Sequence, residues 1–329
     1  MSASISRRTL RRLPIIGVSV VIAMLVSFLA AAPRGSAASD PVIMLAGDIA
    51  CAPDDPNFNN LNGTSGNCHM KATAQLEQAL NPAAVLAIGD EQYDDGSPSE
   101  FAASYDKTWG AFKQITDPAV GNHEYGTSGA TGYFGYFGAA ANGTNGGSPP
   151  GCTSNCAGYY SFDIGSWHIV AINTECAQIN GGAGCALGSP QETWLKADLA
   201  AHPNVCTLVF GHRPRWSSNA FASSAIAPLI KDMYKAHVDI YASGHSHSYE
   251  RFSPQNPSGK SDPNGIIQLV IGTGGSHFTG FGTIRPHSVV HKAKIFGVMG
   301  LTLHPGGWDY QFVSDPSTPF TDSGSGTCH

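Results

Sequence analysis

The sequence predicts an α/β fold, and three observations carry that expectation. Short apolar, β-branched runs alternate with stretches of helical pattern along the chain. The runs are almost continuously apolar, which suits strands covered on both faces. Several of them end in a glycine followed at once by a side chain able to bind metal.

Strands are expected at 42–47, 84–89, 205–210, 238–243 and 266–271, each bounded by Gly or polar turn residues. Helices are expected at 69–81, 98–114, 190–202 and 225–237. Two of these open on a capping signal: Ser97-Pro98-Ser99-Glu100 and Ser189-Pro190-Gln191-Glu192 each offer an N-cap Ser, Pro at the first helical position and Glu at the third. Residues 159–174 and 296–313 alternate about a Gly-containing turn and read as antiparallel hairpins. Residues 125–158 are rich in Gly, Ser and Asn, carry no strong helix or strand pattern, and read as a long loop of the kind that forms functional lids. No internal repeat or interdomain linker interrupts residues 39–329, so they are expected to form a single domain.

Residues 1–38 read as a cleaved export signal. A basic stretch, Arg7-Arg8-Thr9-Leu10-Arg11-Arg12, precedes an apolar run from Leu13 to Ala32, and cleavage is expected near Ala38. A retained membrane anchor is the competing reading, because the apolar run is nearly long enough to span a bilayer. Arg7-Arg8 also resembles a twin-arginine signal, although Arg11 stands where such signals carry an apolar residue. Without its five leader arginines the chain keeps 13 Lys+Arg against 24 Asp+Glu, a net charge of −11. A surface this acidic disfavours nucleic acid and anionic lipid as partners. The expected location is extracellular, with no stable membrane association after cleavage. All eight cysteines follow the leader, and an even count in an exported chain points to disulfides. Short-range pairing would join Cys51–Cys68, Cys152–Cys156 and Cys176–Cys185, leaving Cys206 for Cys328. A zinc-thiolate site is the alternative, but no CxxC pair is present.

The chemistry lies at the ends of the strands. Gly47-Asp48, Gly89-Asp90, Gly121-Asn122-His123, Gly211-His212 and Gly244-His245 each follow an apolar run. Side chains at the carboxyl ends of strands gather in one crevice of an α/β sheet. One Gly-Asp pair is usually only a turn. Five such events in order, the last continuing to His247 two residues on, are hard to explain as turns.

These motifs resemble the calcineurin-like metallophosphoesterase superfamily, and most closely its purple acid phosphatase branch. The ordered signature GDx(G/A), GDxxY, GNH(E/D), VxxH and GHxH reads here as Gly47-Asp48-Ile49-Ala50, Gly89-Asp90-Glu91-Gln92-Tyr93, Gly121-Asn122-His123-Glu124, Val209-Phe210-Gly211-His212 and Gly244-His245-Ser246-His247. The resemblance covers roughly residues 42–312 and implies two central mixed β-sheets flanked by helices, in the compact form that lacks the N-terminal β-sandwich of plant-type members. It implies that Asp48, Asp90, Tyr93 and His247 bind a ferric ion, and that Asp90, Asn122, His212 and His245 bind a divalent ion (Zn, Fe or Mn). Asp90 would bridge the two. Hard anionic oxygens suit Fe(III), and imidazole with an amide oxygen suits the divalent ion. Ala50 stands where many superfamily members carry a His ligand, and Tyr93 takes its place as in the purple acid group.

The implied reaction is hydrolysis of a small phosphate monoester by a metal-activated water. His123 is expected to protonate the leaving group or to donate to the phosphoryl oxygens, with Glu124 or a neighbouring acid orienting its ring. The histidines that plant-type members carry after VxxH are absent, and Arg213 or Arg215 is expected to supply positive charge instead. His168, His202, His237, His277, His287, His291 and His304 lack motif context and read as structural or solvated. A phosphodiesterase or nucleotidase would use the same site. A catalytically inactive secreted binding module would be marked by lost ligands, and all seven are present.

Overall fold

In the computed structural model, Met1 and residues 40–142, 157–203 and 206–329 are described. The expected leader, Met1 apart, and the expected Cys152–Cys156 pair fall outside these segments. The chain lays down β1 (Val42–Ala46), α1 (Met70–Leu80), β2 (Ala84–Ile88), α2 (Pro98–Ala103), β3 (Thr116–Ala119), α3 (Thr131–Phe137), β4 (Tyr160–Ile164) and β5 (Trp167–Ala171). It continues with α4 (Pro190–Ala201), β6 (Cys206–Phe210), α5 (Ala227–Lys235), β7 (Ile240–Ser243), β8 (Tyr249–Phe252) and β9 (Ile267–Ile271). The strands β10 (Ser288–Lys292), β11 (Gly297–His304), β12 (Gly307–Ser314) and β13 (Thr321–Thr327) complete it.

Two mixed sheets result, in the order β13-β12-β11-β1-β2-β3 and β10-β8-β9-β7-β6-β5-β4. β1, β2 and β3 run parallel in the first sheet, as do β5, β6, β7 and β9 in the second. Alternation along the second sheet divides its side chains between two cores. Ile169, Leu208, Ile240 and Leu269 join the core that contains Ile43, Leu45 and Leu86 of the first sheet. Their neighbours Val170, Val209, Tyr241 and Val270 pack instead with Leu195, Leu229, Ile230 and Met233 from α4 and α5. Both faces are covered, as the continuous apolar runs require, and each fully buried aliphatic side chain contributes about 1.5–3 kcal/mol of transfer free energy.

The capping signals form as read. Ser97 accepts from Glu100 N in a complete capping box, and Ser189 accepts from Glu192 N. Cys51–Cys68, Cys176–Cys185 and Cys206–Cys328 are joined as expected.

Two expectations need correction. The helix expected over 98–114 stops at Ala103 and continues as 3-10 turns at 105–107 and 109–115. The Tyr105 N–H is donated to Gln92 Oε1, which takes it out of the helical pattern. The stretch 125–158 is not wholly a loop, because α3 lies within it. Tyr133, Tyr136 and Phe137 recur at helical spacing, and the Phe101 ring stacks on Tyr136 at 4.8 Å and meets Phe137 edge-on at 5.9 Å. This part of the stretch is therefore packed core rather than a lid.

Candidate metal centre

The parallel strands deliver their glycines, and the donors behind them, to one place. The space left by these glycines is used. A Cβ on Gly121 would lie 2.2 Å from Asp90 Oδ1, and one on Gly89 would lie 2.5 Å from His212 Nδ1. Backbone bonds continue past the strand ends and stitch the turns together. Asp48 N donates to Gly89 O at 3.0 Å, Gly244 N to His212 O at 2.9 Å, and Gly47 N to Ile271 O of the other sheet at 3.0 Å. Asp48, Asp90 and His245 have φ of 60°, 50° and 64°. Side-chain-bearing residues avoid this left-handed region at a cost of about 1–3 kcal/mol each, and positions that keep it are commonly functional.

Seven side chains converge there. Asp48 Oδ1 lies 2.9 Å from Tyr93 Oη and 3.0 Å from His247 Nε2. Tyr93 Oη lies 3.1 Å from His247 Nε2 and 3.2 Å from Asp90 Oδ2. On the other side, His212 Nε2 lies 3.0 Å from the same Asp90 Oδ2, 3.2 Å from Asn122 Oδ1 and 3.1 Å from His245 Nδ1. Donors about 2.1 Å from one octahedral ion are spaced about 3 Å apart along its edges. The observed spacings of 2.9–3.2 Å fit two such ions sharing Asp90. Asp90, His212 and His245 offer atoms close enough to one another to hold one ion.

The surroundings aim these donors. His212 Nδ1–H donates to Ile88 O at 3.2 Å and His247 Nδ1–H to His277 O at 3.1 Å, which turns each Nε2 inward. Asp48 Oδ2 accepts His245 N–H at 2.8 Å, and Asp90 Oδ1 accepts His123 N–H at 2.9 Å. Burial alone would raise the carboxyls of Asp48 and Asp90, yet His247 and His212 hold both below the usual range. Burial would lower the His212 imidazole, but Asp90 and Asp48 push it up to about 10. His245 is pushed down to about 3 by burial, then by the charges of His212 and Arg213. Burial, then Asp48 and Asp90, raise the Tyr93 phenol. Buried anionic oxygen this dense attracts cations.

His123 stands at the open side of the cluster. Its ring centroid lies 4.1 Å from that of Tyr93, its Nδ1–H donates to Asp94 O at 2.5 Å, and its Nε2 lies 4.0 Å from Asp90 Oδ2. Glu124 does not orient this ring. It is buried, and its carboxylate accepts Asp90 N at 3.1 Å, Gly121 N at 2.8 Å and Gln92 N at 3.1 Å. Tight turns leave these backbone donors without strand partners, and a buried acceptor must meet them. Burial and the nearby Asp90 carboxylate raise Glu124 to about 7.

The two arginines part company. Arg213 is clamped by Glu175 (Nε to Oε1 2.7 Å, Nη2 to Oε2 2.8 Å), and its Nη1 lies 2.9 Å from His245 Nε2. Arg215 is not at the centre. Gln268 holds its backbone N–H at 3.0 Å, and its guanidinium lies 5.9 Å from the Trp216 ring rather than against any of the seven donors. Three neighbours carried no signal in the sequence. Glu175 holds Arg213, Phe221 meets the His245 ring edge-on at 5.0 Å, and His277, bonded to Asp55 at 3.0 Å, lies 6.0 Å from the Tyr93 ring. None of the three sits in a motif, and only the folded chain brings them here.

A family model for calcineurin-like phosphoesterases matches residues 41–249. The chain belongs to that family. Purple acid phosphatase 18 of Arabidopsis thaliana is 33% identical over 130 residues, which cover 37% of this chain and 28% of that protein. Acid phosphatase type 7 of Homo sapiens is 29% identical over 178 residues, 44% of this chain and 40% of that protein. The chain thus spans less than half the length of these curated relatives. A solved purple acid phosphatase from Lupinus luteus, 22% identical with a TM-score of 0.64, covers 88% of this chain and 54% of its own and shares the fold. Another A. thaliana relative, 28% identical over 59% of this chain and 34% of its own length, is named a probable inactive purple acid phosphatase. The family model bears out the superfamily expected from the motifs, and the purple acid phosphatase relatives support the expected branch. For a calcineurin-like phosphoesterase of this branch, a binuclear metal centre is implied.

Proposed function

We propose that this calcineurin-like phosphoesterase is an exported, metal-dependent phosphatase acting on small phosphate monoesters. The observation that carries the reading is the pair of donor groups sharing Asp90 Oδ2. Asp48, Tyr93, His247 and Asp90 would hold the harder ion, Fe(III), and Asn122, His212, His245 and Asp90 the divalent one. Two such ions, when bound, polarise a phosphoryl group and lower the pKa of water. The residues around them do the rest. His123 Nε2 faces the cluster from the side of Tyr93 and is placed to donate to a phosphoryl oxygen or to the leaving oxygen. Arg213, held in place by Glu175, brings positive charge to the side of His245. Charge on one flank and a donor on the other suit the extra negative charge of a monoester over a diester. Three disulfides among the described cysteines suit an oxidising compartment, and no described helix is long and apolar enough to cross a membrane.

Elemental analysis beside a panel of aryl mono- and diesters tests the reading: about two ions per chain and preference for monoesters are expected. Protein that binds metal but hydrolyses neither ester would end it. His123→Ala should lower monoester turnover about 10²–10⁴-fold with metal content unchanged; turnover equal to wild type would remove His123 from the chemistry. The purified protein should show a visible phenolate-to-iron band that Tyr93→Phe abolishes. A colourless, zinc-only, active enzyme would leave the phosphatase and discard the iron.

A further inference from the structure

A second cluster of histidine and carboxylate lies at the opposite end of β5 from the metal centre. His168 is the second residue of β5, paired across the hairpin with Asp163 of β4 and beside Thr207 near the start of β6. The other end of β5 leads to Asn173 and Glu175 near the centre. Asp198 and His202 come from the end of α4, four residues apart and so on one face. His168 Nδ1–H donates to Asp163 Oδ1 at 2.8 Å, while its Nε2 faces Asp198 Oδ2 at 2.9 Å. Asp198 Oδ1 accepts from Ser161 at 2.7 Å and lies 3.6 Å from His202 Nδ1. The rings of His168 and His202 stack with centroids 4.2 Å apart.

A buried histidine between two carboxylates can serve as a plain charged staple. Such a staple needs only His168 and its two carboxylates, and the ring of His202 stands beside it as a second imidazole. Here one donor atom from each of His168, Asp198 and His202 falls within 4.8 Å of the others. Donors about 2.0–2.1 Å from a tetrahedral zinc ion are spaced about 3.3 Å apart. The observed spacings run to the two oxygens of one carboxylate, 2.9 Å from His168 Nε2 to Asp198 Oδ2 and 3.6 Å from His202 Nδ1 to Asp198 Oδ1, so Asp198 can face both imidazoles at once. Asp163 stands where a carboxylate behind a zinc-bound histidine stands, keeping the proton on Nδ1 and aiming the Nε2 lone pair. Two imidazoles and one carboxylate suit a borderline divalent ion.

We infer that His168, Asp198 and His202 form a separate zinc-type site that clips the β4–β5 hairpin to the end of α4. His202, 39% exposed in its side chain, provides the entry path and leaves the fourth coordination position to solvent. Its ring turns out of the stack to bring Nδ1 to the ion, giving up the bond from Nδ1 to Asp198 O at 2.9 Å. Each ion bound displaces the proton that His168 Nε2 shares with Asp198. The site is independent of the phosphatase reading.

Zn2+ titrated against a chelator of known affinity tests it in the full chain. Wild type should take up one equivalent more than His202→Ala or His202→Asn, with aryl phosphate turnover equal in all three. Asp163→Asn keeps the three ligands and should weaken that equivalent about 10–100-fold. Co2+ at the site should show tetrahedral visible absorption that His202→Ala loses. Equal zinc stoichiometry and affinity in wild type and His202→Ala would overturn the inference. Because His202 sits half-exposed at a helix end, its replacement leaves the core intact.

Discussion

Asp90→Asn should empty both metal positions and lower monoester turnover by at least about 10³-fold, or about 4 kcal/mol of transition-state stabilisation. The reason is the division of labour between its two oxygens. Oδ1 accepts the His123 N–H at 2.9 Å, while Oδ2 faces Tyr93, His212 and both donor groups. An amide has one oxygen, and the His123 N–H will claim it. The NH2 group then points at the shared position, where a donor is repelled by any cation. Elemental analysis and turnover of the variant decide the matter, and two retained ions with near wild-type turnover would refute the bridging role.

Glu124→Ala should be the more damaging change to stability. It would leave the N–H groups of Asp90, Gln92 and Gly121 buried and unpaired. At about 1–3 kcal/mol for each unsatisfied donor, with partial relaxation, the loss should be about 3–6 kcal/mol. The denaturant midpoint reads it directly. A loss below about 1 kcal/mol would mean that the carboxylate does not brace the turn, and attention would return to the His123 ring. Glu124→Gln should fall between, because it keeps one accepting oxygen.

The contrast between these two carboxylates shows what was legible beforehand. Asp90 follows an apolar run and a glycine, so its place at a strand end could be read locally. Glu124 lies in an equally clear motif, but its partners are backbone groups of its own turn and of the turn after β2, and no pattern of side chains announces that. The same limit applies to the fold. β1, β2, β6, β7 and β9 are buried on both faces and wrote themselves as apolar runs. β3 carries Pro118, tolerated because the strand lies at the sheet edge where a missing N–H costs little. β13, Thr321–Thr327, has no aliphatic residue beyond the methyls of threonine and exists because β12 offers it a ladder. α3 was masked by its glycines, although its aromatic spacing was helical. Arg213 and Arg215 had equal claims in sequence. Their separation depends on Glu175 and Gln268, which lie far along the chain from them.

The position of β11 also sets a clock. β1, which carries Asp48, has β2 on one side and β11 on the other, and β11 begins only at Gly297. While the chain is being synthesised, the first carboxylate of the centre therefore sits on an edge strand for some 250 residues. Such long-range pairing comes late and leaves a strand edge open until it does. The Cys206–Cys328 link closes later still, once Cys328 has emerged. All seven donors, from Asp48 to His247, thus leave the ribosome before the strand that covers the outer edge of β1, and the centre gains its last flanking support from a segment that carries none of its ligands.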